Sequence, residues 1–196
     1  MEKHSTLRLS CFCVISIFLL MLSWSLCAAA EEVRFDALKP GMIETNIYAG
    51  AGSNFRYPSA TRNVFKFDIV GARISRVISS RTTIGLDLAT GTGNNKGGSP
   101  NLWSTICFQQ YLRANSKDAL TFDLFIGVMR FRNKVPELAT RTNFTERLGF
   151  TYKWKDGKNT AWTTQLTLSH ISNADIKIPN IGINTCSVVF GHTWCR

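Results

Sequence analysis

From Met42 onward apolar side chains recur at every second position, and no window keeps the i, i+3, i+4 spacing of an amphipathic helix. Turn-forming residues interrupt the alternation about every twenty residues. The pattern predicts an all-β chain with strands over Ile43–Gly52, Val64–Ala72, Thr82–Thr90, Leu102–Arg113, Ala119–Arg130, Asn143–Trp154, Thr160–Ser172 and Gly182–Trp194. Several of these set a large apolar face against a small or polar one. Phe65, Phe67 and Ile69 alternate with Lys66 and Asp68; Ile84, Leu86 and Leu88 with Gly85 and Asp87; Phe144, Leu148, Phe150, Tyr152 and Trp154 with Thr145, Arg147, Gly149 and Lys153.

Alternation of this kind fits a soluble sandwich, whose apolar faces meet in a dry core, and equally a barrel, whose apolar faces meet lipid. Three features favour the barrel. The strand number is even, and strands of about ten residues suit a tilted membrane crossing. Tyr152, Trp154, Trp162 and Trp194 fall near strand ends, where an aromatic girdle sits. The connections alternate between tight (113–119 and 155–160) and long (91–101, 131–142 and 173–181), as periplasmic turns and outer loops do. On this reading the connection from Arg73 to Arg81 is too long for its place. The expected architecture is an eight-stranded antiparallel transmembrane β-barrel, with the last hairpin connection at the outer surface.

The segment before the barrel has its own organisation. Lys3 and Arg8 precede an apolar run from Leu9 to Leu26, followed by Ala28, Ala29, Ala30 and then Glu31 and Glu32. This is the layout of a cleaved secretory signal over residues 1–30, although the apolar run is nearly long enough to be read as an anchor. Either way the protein is exported, and residues 31–196 form one barrel domain. The full chain carries a formal net charge of +10. For an exported protein that favours a phosphorylated glycolipid or an anionic membrane surface over nucleic acid, or simply solvated loop charge. Removal of the signal leaves Cys107, Cys186 and Cys195, an odd number without CxxC spacing, which predicts neither a disulfide framework nor a thiolate metal site.

The stretch richest in chemistry is Leu166-Thr-Leu-Ser-His170-Ile-Ser172-Asn173, followed by Pro179-Asn180-Ile-Gly182-Ile-Asn184. Trp162, Leu166, Leu168, His170 and Ser172 share one face of a strand, and its apolar members place that face toward lipid. A histidine and a hydroxyl there are costly unless they have a task. On the returning strand Asn184 falls on the matching face, within reach of His170. In this arrangement His170 takes the proton of Ser172 as it attacks an ester carbonyl, and Asn184 orients the imidazole. Asn173 and Asn180 flank the pair as candidate oxyanion or substrate-binding groups. The plain alternative is a polar strand end at the membrane interface with ordinary turn asparagines.

These residues resemble the lipid A 3-O-deacylases of the PagL type, which are eight-stranded outer-membrane barrels. The resemblance rests on His170-x-Ser172-Asn173-Ala174 and Pro179-Asn180-x-Gly182-x-Asn184. It implies hydrolysis of an ester-linked hydroxyacyl chain of lipid A without a cofactor, in the bacterial outer membrane. Ser172 would be the nucleophile, His170 the general base, and Asn173 with Asn180 the oxyanion candidates. Two positions depart from the family pattern. Asn184 stands where a glutamate is usual, and Asp175 where glycine is frequent. Lys96, Arg132, Lys134 and Lys177 in the predicted outer loops are available to the sugar phosphates of lipopolysaccharide. The same architecture without turnover would be a binding or structural surface barrel, and a homodimer in the membrane is open to either.

Overall fold

The computed structural model describes residues 38–55, 66–93 and 100–196. The proposed signal, residues 1–30, lies outside them, as does Phe65. Eight antiparallel strands close into a single barrel. They are β1 (Ile43–Phe55), β2 (Lys66–Ser79), β3 (Thr82–Gly93), β4 (Pro100–Ala114), β5 (Asp118–Phe131), β6 (Thr142–Lys155), β7 (Thr160–Ser172) and β8 (Ile183–Cys195). Each pairs with its sequence neighbours, and β1 pairs with β8 from Glu44↔Cys195 to Phe55↔Asn184, so no edge is left open. The tight connections β2–β3, β4–β5 and β6–β7 share one end with the start of β1 and the end of β8. The longer ones gather at the other. β2 runs seven residues past its predicted end, to Ser79, and this removes the overlong connection: the β2–β3 turn is as tight as its place requires.

The outside of the barrel is apolar and exposed. Ile74 and Leu86 are each 58% exposed, with Ile106, Leu168 and Val188 exposed beside them. A soluble protein would hide such a band, and here lipid covers it. At the end of the tight turns Tyr152, Trp154, Phe190 and Trp162 pack ring against ring. His192 is wedged edge-on between Trp162 and Trp194, each ring centroid 4.6 Å away. This is an aromatic girdle at one membrane interface.

The inside is polar and filled. Asp87 on β3 is the hub, accepting hydrogen bonds from Tyr48 (2.8 Å), Arg73 (3.3 Å) and Arg147. Both guanidinium groups also lie over the Phe125 ring, at 4.7 and 4.1 Å. Below, Asp123 accepts from Gln109, Thr121, Thr151 and Gln165. Near the end of the tight turns Lys153 donates to Glu44 (2.6 Å) and to the Tyr111 hydroxyl (2.7 Å).

The outer end is closed differently, by a cluster that includes Phe67, Ile69, Trp103, Phe131, Leu138 and Ile171. This corrects the expected facing of β2. Phe67 and Ile69 point inward, with Phe67 edge-on to Trp103, while Val70, Ile74 and Ile78 face lipid. A strand that runs from an apolar plug to a charged hub has apolar residues on both faces, so alternation alone cannot tell them apart.

Candidate active site at the outer rim

β7 and β8 carry the site. Buried and outward positions alternate along β7, with Thr163, Gln165, Thr167 and Ser169 inside and Trp162, Leu166, Leu168 and His170 outside, whereas β8 opens on three buried residues, Ile183, Asn184 and Thr185, before its alternation begins. The register sets His170 directly opposite Asn184. His170 Nδ1–H donates to Asn184 Oδ1 at 2.8 Å. That bond holds the proton on Nδ1 and leaves the Nε2 lone pair available as a base. Nε2 meets no protein partner among the described residues. Ser172 lies two residues on along the same face, half-buried, and its hydroxyl is likewise unengaged among the described residues. No hydrogen bond joins the two. Such contacts often close only when substrate is bound.

Gly182 fits the imidazole into place. Its φ is +77°, and a Cβ built there would stand 2.8 Å from His170 Cε1 and 3.4 Å from Nε2. It therefore falls just before β8 rather than inside it, as the sequence reading had placed it. The importance of this glycine was missed from sequence. Its signal was a glycine two residues before Asn184, at the entry to the last strand.

The loop from Asn173 to Gly182 is held by side-chain amides. The Asn173 backbone N–H donates to Asn180 Oδ1 (3.0 Å), and Asn180 Nδ2 donates to Asp175 Oδ1 (3.0 Å). Asn173 is 1% exposed, and its Nδ2 donates to the carbonyls of Leu138 and Lys177. A further bond from Ile181 N–H to the Glu137 carbonyl (3.0 Å) ties this loop to the neighbouring β5–β6 loop. Asn173 and Asn180 are thus brought together as parts of one loop brace. Ala174 and Asp175 follow Ser172 in left-handed conformation, φ 52° and 59°. Aspartate tolerates that region better than most residues, so it can stand where glycine is frequent. The backbone N–H groups of both are unengaged by the described residues.

Residues 65–193 match the family described as lipid A 3-O-deacylase (PagL). The chain belongs to the lipid A 3-O-deacylase (PagL) family. The crystal structure of the outer membrane enzyme PagL superposes with a TM-score of 0.51 at 20% identity, covering 76% of this chain and 97% of that one. The outer membrane protein OprG from Pseudomonas aeruginosa gives 0.46 at 11% identity, over 82% and 98% of the two chains. A de novo designed transmembrane β-barrel gives 0.47 at 10%, over 82% and 99%. No curated protein matches the sequence. Like other PagL-family barrels the protein resides in the outer membrane, which puts the tight turns in the periplasm and the His170 rim at the cell surface.

Of the basic residues assigned to the outer loops, Arg132, Lys134 and Lys177 are exposed there, and Lys96 lies outside the described residues. Cys107 and Cys195 are buried, Cys186 is half-buried, and all three are free thiols.

Proposed function

We propose that this PagL-family protein hydrolyses an ester-linked hydroxyacyl chain of lipid A through Ser172 and His170. The observation that carries this reading is the His170–Asn184 hydrogen bond on the lipid-facing side of the outer rim, which leaves Nε2 free beside Ser172. An acyl chain of lipid A lies along that face, with its ester at the level of the rim.

Ser172 Oγ attacks the ester carbonyl as its proton passes to His170 Nε2, and Asn184 keeps the imidazole from turning. The oxyanion is received by the unengaged N–H groups of Ala174 and Asp175, with the Asn180 amide alongside. Asn173 holds that turn in shape through its bonds to Leu138 and Lys177. The imidazolium then protonates the departing sugar oxygen. Water, deprotonated by His170, releases the hydroxy fatty acid and restores Ser172. Arg132, Lys134 and Lys177 receive the sugar phosphates.

Mass spectrometry of lipid A from a lipopolysaccharide-bearing host tests this. The parent should remove one hydroxyacyl group, while Ser172→Ala and His170→Ala, inserted equally well, should remove none. Intact lipid A from a correctly inserted parent, in cells and in detergent, would favour a barrel that binds without turnover. The uncharged Asn184 is the feature that supports that second reading.

A further inference from the structure

We infer that Glu146 on β6 supplies the negative charge that stabilises the imidazolium of His170, in place of a carboxylate at position 184. This rests on the Ser172–His170 reading above. The register puts His170 between two partners, Asn184 on β8 and Glu146 on β6, each directly opposite it. Residues so placed have Cβ atoms about 4.5–5.5 Å apart, within mutual reach of their side chains. Glu146 is on the lipid-facing side, in the row Phe144, Glu146, Leu148, Phe150, and its partner on β5 is Ile126. Phe144, Leu148 and Ile126 are all exposed to lipid, so His170 is the polar group directly opposite Glu146, with Ser172 diagonal to it on the same face.

Among the described residues Glu146 makes no hydrogen bond or ion pair. A lone carboxylate in an apolar row of a barrel exterior is costly, and its retention needs a compensating charge. That charge is absent while His170 is neutral. It arises when His170 accepts the Ser172 proton, so the attraction acts on the reacting state rather than on the resting one. Asn184 orients the ring by its hydrogen bond but carries no charge. The two tasks that one carboxylate performs in a Ser-His-acid triad are divided here between β8 and β6. Glu146 is a positioning residue in this scheme, because it touches neither ester nor nucleophile.

Opposite unit charges about 6 Å apart at an effective dielectric of about 20 correspond to roughly 10- to 100-fold in rate. The test uses the full barrel refolded in detergent, with insertion checked by its heat-modifiable gel mobility. kcat and KM on lipid A are measured together with the rate at which a fluorophosphonate labels Ser172, a reaction that needs the same base but no lipid A. Glu146→Gln should lower kcat and labelling rate by about 10- to 100-fold with KM nearly unchanged. Glu146→Asp should retain part of the rate. The double variant Glu146→Gln/Asn184→Glu should recover most of it, which repair of a merely structural defect would not do.

A folded Glu146→Gln barrel with parental kcat and labelling rate overturns the inference. A parent that is labelled but leaves lipid A intact refutes the substrate reading alone, and the labelling rates still decide the role of Glu146. A parent that does neither refutes both.

Discussion

Replacing Gly182 with alanine separates the geometry of the imidazole from every charge effect. The added Cβ would stand 2.8 Å from His170 Cε1, whereas carbon atoms at rest are about 3.5–4.0 Å apart, so the ring must retreat by about 0.7 Å or more. The Nδ1 to Asn184 bond is already 2.8 Å long and has no slack in the direction of β8. A retreat of that size moves Nε2 off the line to Ser172, and a misplacement near 1 Å costs on the order of 100-fold in rate. Independently, alanine at a φ of +77° is strained by about 1–2 kcal/mol. Gly182→Ala should therefore lose about 10- to 100-fold in kcat on lipid A vesicles, and about 1–2 kcal/mol in urea unfolding from detergent. Gly182→Asn divides the two effects, since asparagine accepts the left-handed backbone but still carries a Cβ. It should regain most of the stability and little of the activity. An alanine variant with parental kcat would show that the imidazole does not sit where the Cβ of residue 182 would strike it.

Asp87→Ala leaves Arg73 and Arg147 buried without their shared carboxylate, and urea unfolding should report a loss of about 3–5 kcal/mol; a loss below about 1 would mean the hub is dispensable. Asn173→Ala strips the carbonyls of Leu138 and Lys177 of a donor. It should raise hydrogen exchange across residues 173–182 and lower kcat while the strands stay protected, and unchanged exchange would refute the brace. In the periplasmic β6–β7 turn, hydrogen bonds from Thr160 and His192 hold the Asp156 carboxyl below the usual carboxylate range. Its contribution is present above the ordinary carboxyl range and is lost as pH falls through the lowered value. Limited proteolysis of residues 155–160 should therefore accelerate only in acid, and Asp156→Asn should abolish that pH dependence.

How much of this was legible in the sequence depends on which interaction fixes each feature. β7 spans Thr160–Ser172 both as read from the sequence and as folded, because its outward residues are mostly apolar and its inward ones from Thr163 to Ser169 are hydroxyls and an amide. The same contrast put Asn184 on the face that meets His170. β2 lacks that contrast. Its inward Phe67 and Ile69 serve the outer plug and its outward Val70 and Ile74 serve lipid, so neither its facing nor its end at Ser79 was readable. The Asp87 hub was out of reach for another reason. It joins side chains of β1, β2, β4 and β6, and nothing local to any of those strands specifies the partnership before the barrel closes. Glu146 was readable in principle, as the charge that breaks the outward row from Phe144 to Trp154. Its significance emerged only from the β6–β7 register.

The division between inside and outside explains why the proposed chemistry lies at this rim. Eight strands enclose a space just wide enough for side chains, and here Asp87, Asp123 and Glu44 with their donors fill it, so no acyl chain can enter. A site for a membrane lipid must then be built on the exterior, where each polar group is taxed by the surrounding hydrocarbon. The cost is lowest at the strand ends, which restricts the site to the last turns of β7 and the first residues of β8. It also limits how many permanent charges can be grouped there. With a neutral amide at position 184, Glu146 is the one carboxylate directly opposite His170 in the proposed scheme. In the proposed reaction the opposing charge appears only while the proton of Ser172 rests on His170.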